Sequence, residues 1–191
     1  LMAAYVFQKL LDRGAPEAVK NVSTAQNWFA DNTVRVSQGD MMRGGGTLTS
    51  RLVPGRLCMF SYDAKTKDTL PYWDRFPLVF PIDAQNDSFL GLNMHYLHHG
   101  HRALLMDALW KYVDNDKLPE NAVIQLTYST LKQASKLRYY KACIKRYLNS
   151  NIKSRFVQID PQQWNMALFL PTERFTGASK SKVYNDSSRK Q

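Results

Sequence analysis

From Val53 onward, the apolar residues of this chain fall into short runs separated by Pro, Gly, Asn and Asp, the residues that favour turns. Short runs of this kind form β-strands when β-branched and aromatic residues are frequent in them. The prolines of FPLVFPI favour a sheet edge or the ends of a strand. We predict strands over RLCMFSYD, FPLVFPI, SFLGLNMHYL, AVIQLTY, SRFVQI and WNMALFLP.

Two longer segments show the helical period instead. A helix is predicted over His99–Val113 from an apolar stripe of Leu104, Leu105, Ala108, Leu109 and Tyr112. A second helix, capped by Ser129 and reaching about Asn151, is predicted from apolar residues at Leu137, Tyr140, Ile144, Tyr147 and Leu148. Together these elements indicate an α+β fold, a small curled antiparallel sheet or an SH3-like barrel with flanking helices.

The chain divides into three predicted parts. Residues 1–52 form an N-terminal helical arm, with helices over about Met2–Arg13 and from Ser23 onward, and a flexible linker that contains Gly44–Gly46. Residues 53–171 form the α+β body, and residues 172–191 form a basic tail that is extended or disordered on its own. No apolar run approaches the roughly 20 residues that cross a bilayer, so we expect no membrane partner.

The net charge of +10 is concentrated in the last third of the chain. Residues 131–191 contain 13 Lys and Arg against three acidic residues, whereas the basic and acidic residues before them cancel. A stretch without any acidic residue runs from Asn121 to Ile159 and overlaps the start of this basic part. A helix that only needs to be soluble usually carries both signs of charge. The asymmetry therefore predicts a polyanionic partner, which is either a nucleic acid or an acidic protein surface.

The candidate phosphate contacts are the basic residues of the predicted second helix, the strand after it and the tail. DNA phosphates would supply the missing counter-charge, and Tyr139 could pack on a sugar or a splayed base. A helix that is merely solvated, or one that docks on an acidic protein, remains an alternative. The candidates are Lys132, Lys136, Arg138, Lys141, Lys145, Arg146, Lys153, Arg155, Arg174, Lys180 and Lys182.

The sequence contains no recognisable enzyme motif. No P-loop, no G-x-S-x-G and no H-E-x-x-H is present, and the triple glycine lacks the Lys and Ser or Thr of a phosphate loop. We therefore predict no catalytic residue, no cofactor and no small-molecule substrate. The histidines are interpreted as a surface cap on a helix and not as a metal site: His95, His98, His99 and His101. A group of aspartates is interpreted as turn residues and not as a nuclease metal site: Asp63, Asp68, Asp74 and Asp83.

The segment DTLPYWDRFPLVFPI is rich in bulky residues around Asp74 and Arg75. We interpret it as a core-forming loop in which Arg75 pairs with a nearby acid. This segment also resembles the DNA end protector proteins of T-even-type tailed phages. The similarity extends from about Val53 to Phe175 and includes, in the same order and spacing, VPGRLCMFSYDAKTKDTLPYWDRFPLVFPI, FLGLNMHYL, RYYKACIKRYLNSNIKSRFVQI and WNMALFLPTERF.

The resemblance implies a non-enzymatic virion protein that sits on the ends of the packaged linear genome. Such a protein shields double-stranded DNA ends from host exonuclease, helps to complete the head and contacts other virion subunits. It would be found in the virion, and in the host cytoplasm during assembly and after genome entry. The alternative is a structural adaptor of the phage neck, tail or baseplate that docks acidic subunits through its basic helix and tail. The resemblance supplies no DNA-contacting positions, so the candidate residues rest on charge alone.

Overall fold

The computed structural model describes residues 5–13, 48–49, 52–161, 164–169 and 175–189. Within these ranges, the α-helices are α1 Val6–Arg13, α2 His99–Val113, α3 Glu120–Ala134, α4 Arg138–Lys141, α5 Trp164–Phe169 and α6 Lys180–Arg189. The strands are β1 Leu48–Thr49, β2 Cys58–Met59, β3 Trp73–Asp74, β4 Leu78–Ala84, β5 Ser88–Asn93, β6 Ile144–Leu148, β7 Phe156–Gln158 and β8 Phe175–Thr176. Single 3₁₀ turns follow β5 and β6, over Met94–Tyr96 and Asn149–Asn151.

The strands form one six-stranded sheet and one two-stranded sheet. The larger sheet has the order β1-β7-β2-β4-β5-β6, and β3 pairs with β8 in the smaller one. All of these pairs are antiparallel, as predicted. In the part of the chain that the structure describes, the edge strands β1 and β6 do not pair with each other, so the sheet is open and not a closed barrel. The α+β class is confirmed.

Buried clusters lie on both faces of the larger sheet. Successive residues of a strand point to opposite sides, so one strand can contribute to both clusters. On β4, Leu78 and Phe80 face the main core with the helices, and Val79 faces a smaller cluster on the other side. This second cluster is mainly aromatic. Phe60 lies at its centre, with ring centroids 5.2 Å from Tyr147, 5.3 Å from Phe156 and 5.7 Å from Phe89. Edge-to-face pairs of this kind add to the free energy of burial.

The predicted helix His99–Val113 is confirmed as α2, but its buried face differs from the predicted stripe. Leu104 is 47% exposed, whereas Met106 and Leu109 are fully buried. The N-terminal helix is also confirmed over its described part. Its Phe7 side chain is buried 5.3 Å from the ring of Trp110. The predicted helix from Ser23 and the linker through Gly44–Gly46 lie outside the described residues.

Two of the predicted strands are wrong. AVIQLTY belongs to helix α3, whose buried positions Thr127, Leu131 and Ala134 recur at the helical period that a short apolar run does not reveal. WNMALFLP is helical over Trp164–Phe169. FPLVFPI forms the predicted strand as β4, with Pro77 just before its first residue. Pro81, however, lies in the interior of the sheet and not at an edge, and the register shift between Pro81 and Asp83 accommodates it. Over its described part the tail contains β8, which pairs with β3, and α6, whose Val183 is buried in the main core.

The predicted long basic helix is also wrong. Helix α3 ends at Ala134, the short α4 follows, and Ile144–Leu148 is strand β6. Strand β6 pairs with β5 from Ser88↔Leu148 to Leu92↔Ile144. This long-range pairing satisfies the backbone at the edge of β5, and it outweighs an apolar spacing that also fitted a helix. Within the described residues, no helix is long and apolar enough to span a membrane.

At Gly91 the neighbouring strand packs so closely that there is no room for a side chain. A Cβ at this residue would overlap Cγ1 of Val79. We expect Gly91→Ala to lower the free energy of unfolding by about 1–3 kcal/mol, because overpacking forces neighbours to move. Urea unfolding followed by circular dichroism measures the change. Gly100→Ala is the matched control, since a Cβ there meets nothing within 4 Å. An equal loss in both variants would contradict the packing argument.

The two cysteines provide a test of the core. Both are buried and form no disulfide. Burial raises the pKa of the Cys143 thiol to about 12, and it also raises the pKa of the Cys58 thiol above its ordinary value. The thiolate is the reactive form, so neither thiol is activated at pH 8. We expect no reaction of the folded protein with Ellman's reagent and two thiols per chain after unfolding in urea. Rapid reaction of one thiol before unfolding would contradict this burial.

Candidate nucleic-acid interface

The first four candidate cations lie on the end of α3, the turn after it and α4. Lys132, Lys136, Arg138 and Lys141 are all exposed. None of them forms an ion pair with a carboxylate in the described part of the chain, although Lys132 Nζ lies 3.4 Å from the hydroxyl of Tyr128. Tyr139 is 48% exposed among them and stacks on His101 with ring centroids 4.5 Å apart. This basic surface, defined by the four cations, is available to an anionic partner.

The next two candidates lie on the edge strand β6. Arg146 Nη1 donates to Gln85 Oε1 at 3.0 Å, and its side chain is exposed. Lys145 is half-buried, and its Nζ lies 4.2 Å from the centroid of the Tyr96 ring. A cation over the face of an aromatic ring is attracted to the ring quadrupole. The six residues therefore form a path from a helix end to a strand, and not one face of a helix.

The remaining candidates are more scattered. Lys153 is exposed, and its backbone N–H donates to the carbonyl of Ser61 at 2.8 Å. Arg155 is half-buried. On α6, Lys180 is exposed and Lys182 Nζ pairs with Asp186 Oδ2 at 2.9 Å, so one tail charge is already compensated. Arg174 lies outside the described residues.

Lys145 and Arg146 also line a cavity that the sequence did not reveal. Its volume is about 400 Å³, and it lies between the loop after Tyr62, strand β3 and strand β6. The lining is aromatic and basic. Besides those two cations, it includes Lys65 and the rings of Tyr62, Tyr72, Trp73, Tyr96 and Tyr147. Tyr62 and Trp73 are partly exposed, whereas the rings of Tyr72, Tyr96 and Tyr147 are buried.

A buried hydrogen-bond network lies beside this cavity and contributes Asp74 and Tyr147 to its lining. Asp74 Oδ2 lies 2.7 Å from Nδ1 of His95 and accepts from Asn93 Nδ2 at 3.0 Å. The same amide nitrogen lies 3.0 Å from the Tyr147 hydroxyl, and Asn93 Oδ1 accepts from the backbone N–H of His95 at 2.9 Å. The network connects β3 to β5 and β6. Each of its polar groups has a partner, as buried polar groups require.

Burial also affects the protonation of two tyrosines that line the cavity, Tyr96 and Tyr147. It raises the pKa of Tyr96 and Tyr147 far above the ordinary value, and the charge of Asp74 raises both further. These hydroxyls therefore stay neutral over the physiological range. They can donate and accept hydrogen bonds, but they do not repel an anion.

Two sequence interpretations of these residues are wrong. His95 is fully buried and does not cap a helix at the surface. Asp74 accepts from the backbone N–H of Phe76, two residues further on, as the turn interpretation predicts, but it is also buried beside His95. Arg75 is exposed and contacts no carboxylate among the described residues. Asn93 and His95 flank Met94 at the end of an apolar run. This spacing of polar residues was the sequence signal for the buried polar network. Across the described ranges, no cluster of three or more His, Cys, Asp or Glu could hold a metal ion.

The network predicts a large effect of one substitution. Asp74→Ala leaves His95 and Asn93 buried without their partner, so we expect the free energy of unfolding to fall by about 3–5 kcal/mol. Thermal and urea unfolding measure the loss. Asp63→Ala is the control, because that carboxylate pairs with Lys67 at the surface at 2.9 Å. We expect the control to unfold almost as the parent does. Similar losses in both variants would show that the network contributes no special stability.

Comparison with known proteins gives one match. The family model for the Phage T4 terminal DNA protecting protein matches residues 5–190, which include the basic surface and the cavity. No curated protein matches the chain, and no solved structure matches it. The match covers nearly the whole chain and confirms the family resemblance. The chain belongs to the Phage T4 terminal DNA protecting protein family.

Proposed function

We propose that this virion-associated protein binds the ends of the linear phage genome and shields them from host exonuclease, without catalysing a reaction itself. The observation that carries the proposal is the basic surface of Lys132, Lys136, Arg138 and Lys141. Its cations have no acidic partner among the described residues. The chain also belongs to a family that is named for protecting terminal DNA. The partner is duplex DNA that carries a free end.

Phosphate contacts explain how such a surface acts on any genome sequence. Lys and Arg that neutralise phosphates release condensed counterions, and this release gives affinity without reading the bases. The edge strand β6 extends the cations from the basic surface to Lys145 and Arg146. A duplex end that is held along this path is covered by protein, so an exonuclease cannot reach the terminal phosphodiester bonds. The protection is steric, and it requires the protein to stay bound after the DNA has entered the host cytoplasm.

A second function is favoured by the apolar side chains near the same cations. Leu137 is 57% exposed and Tyr139 is 48% exposed, and both lie within the basic surface. Exposed apolar side chains beside charges are typical of protein interfaces. A structural adaptor of the neck, tail or baseplate would use this patch to dock an acidic virion subunit and would help to complete the head.

A DNA-binding titration separates the two functions. We expect the protein to bind linear duplex more tightly than a covalently closed circle of the same sequence, and the affinity to fall log-linearly with salt. Reversal of three charges, Lys136→Glu with Arg138→Glu and Lys141→Glu, should weaken binding and lower the magnitude of the salt slope by about 3, near 1 per lost phosphate contact. An exonuclease digestion of the linear duplex should show protection by the parent protein and not by this variant.

The matched control reverses the same number of charges elsewhere, at Lys9, Lys111 and Lys117, which are exposed on α1, the end of α2 and the loop after it. It should bind as the parent does. Equal effects of the two triple variants would mean that only the net charge matters and would contradict the assignment of the surface. If the parent protein bound no DNA at moderate salt but bound an isolated virion subunit, the adaptor function would replace end protection.

A further inference from the structure

The cavity between β3 and β6 has a composition that the phosphate-binding surface does not need. A surface that contacts only phosphates requires cations, whereas this cavity has a wall of aromatic rings. Aromatic side chains are the groups on which unpaired bases stack, with little dependence on sequence. The volume of about 400 Å³ lies at the small end of the range for ligand pockets, about 300–1,000 Å³.

The rings that a ligand can reach are held in place. Tyr62 contacts the ring of Tyr147 with centroids 5.0 Å apart, and its hydroxyl accepts from the backbone N–H of Leu148 at 3.3 Å. Trp73 lies on β3, which is paired with β8. A ring that is already fixed loses little conformational entropy when a base stacks on it. The partly exposed rings of Tyr62 and Trp73 are therefore suitable stacking surfaces.

The charges around the cavity favour an anion. Lys65, Lys145 and Arg146 contribute three cations to the lining, and the one carboxylate of the lining is Asp74. Its oxygen atoms are taken up by His95, Asn93 and the backbone N–H of Phe76. Lys145 and Arg146 also belong to the path of cations that leads from the basic surface. A DNA strand that follows this path reaches the cavity.

We propose that the cavity holds one unpaired nucleotide at the terminus of a DNA strand, with its base on Trp73 or Tyr62 and its phosphate near Lys65 and Lys145. The inference rests on the proposed function and adds the part that distinguishes an end from the interior of a duplex. A base inside a duplex must break its pairing and stacking to enter such a cavity, whereas a terminal base has only one stacking neighbour. A covalently closed duplex circle offers no such nucleotide.

The test compares a linear duplex with a covalently closed circle of the same sequence, which has no strand terminus. The probes are these two DNAs and the full-length protein at fixed salt. For Trp73→Ala we expect the preference for the linear form to fall about tenfold or more, since base stacking on one aromatic ring contributes that much. Binding to the circle should stay the same, because the basic surface is intact. Tyr5→Ala is the matched control, an exposed aromatic residue outside the cavity lining and outside the basic surface.

A second measurement needs no variant and is therefore independent of folding. 2-Aminopurine replaces adenine at the terminal position of one linear duplex and at an internal position of another. We expect the parent protein to change the fluorescence of the terminal base and not that of the internal base.

Lys65→Ala is a further variant at an exposed position and should lower the preference for linear DNA with no loss of stability.

The outcomes separate the cavity from the proposed function. An unchanged preference for linear DNA in folded Trp73→Ala, or a silent terminal 2-aminopurine while DNA is bound, would overturn the nucleotide site and leave end binding intact. Loss of the preference in that variant with retained binding to the circle would support the site. If the parent bound neither DNA, end protection itself would be wrong, and the nucleotide site would fall with it.

Discussion

The buried carboxylate of Asp74 is the contact on which the arrangement of the candidate site depends. It lies on the small two-stranded sheet and bonds to His95 and Asn93, beside the edge of the large sheet. A buried charge is stable only when its hydrogen bonds are satisfied, so these partners fix where β3 stands relative to β5 and β6. The space left between β3 and β6 is the cavity. The position of the aromatic wall therefore follows from one polar interaction.

The pairing of β6 with β5 decides how the basic segment is presented. As one long helix, the segment would have offered a single stripe of cations to a partner. In the structure, the cations lie on a helix end, on the four-residue α4 and then on a strand at the edge of the sheet. In the proposed function a duplex that ends at the protein follows this bent path, because the path leads from an exposed surface to the cavity beside Lys145. Under that proposal, attraction to phosphate and recognition of an end reside in adjacent parts of one surface.

Several features were predictable from the sequence because they depend on local properties. The α+β class, helix His99–Val113 and strands near Cys58, Leu78, Ser88 and Phe156 follow from apolar spacing and turn residues. The errors occur where a short apolar run fits both the period of a helix and the period of a strand. AVIQLTY and WNMALFLP form helices and Ile144–Leu148 a strand, and only long-range packing and pairing decide between the two. The tail was predicted to be extended or disordered on its own, and in the folded chain its Val183 is fully buried and its Tyr184 hydroxyl accepts from Arg102 at 2.9 Å.

The sequence by itself determined the charge asymmetry, the family of the protein and the absence of carboxylates from Asn121 to Ile159. These properties belong to the order of residues and do not depend on how the chain folds. Only the tertiary structure decided which cations meet, that Asp74 and His95 are buried together, and that Trp73 and Tyr62 line the same cavity as Lys145. Residues so far apart in the chain come together through strand pairing and buried hydrogen bonds. Those contacts form between distant segments, so no local pattern of the sequence encodes them.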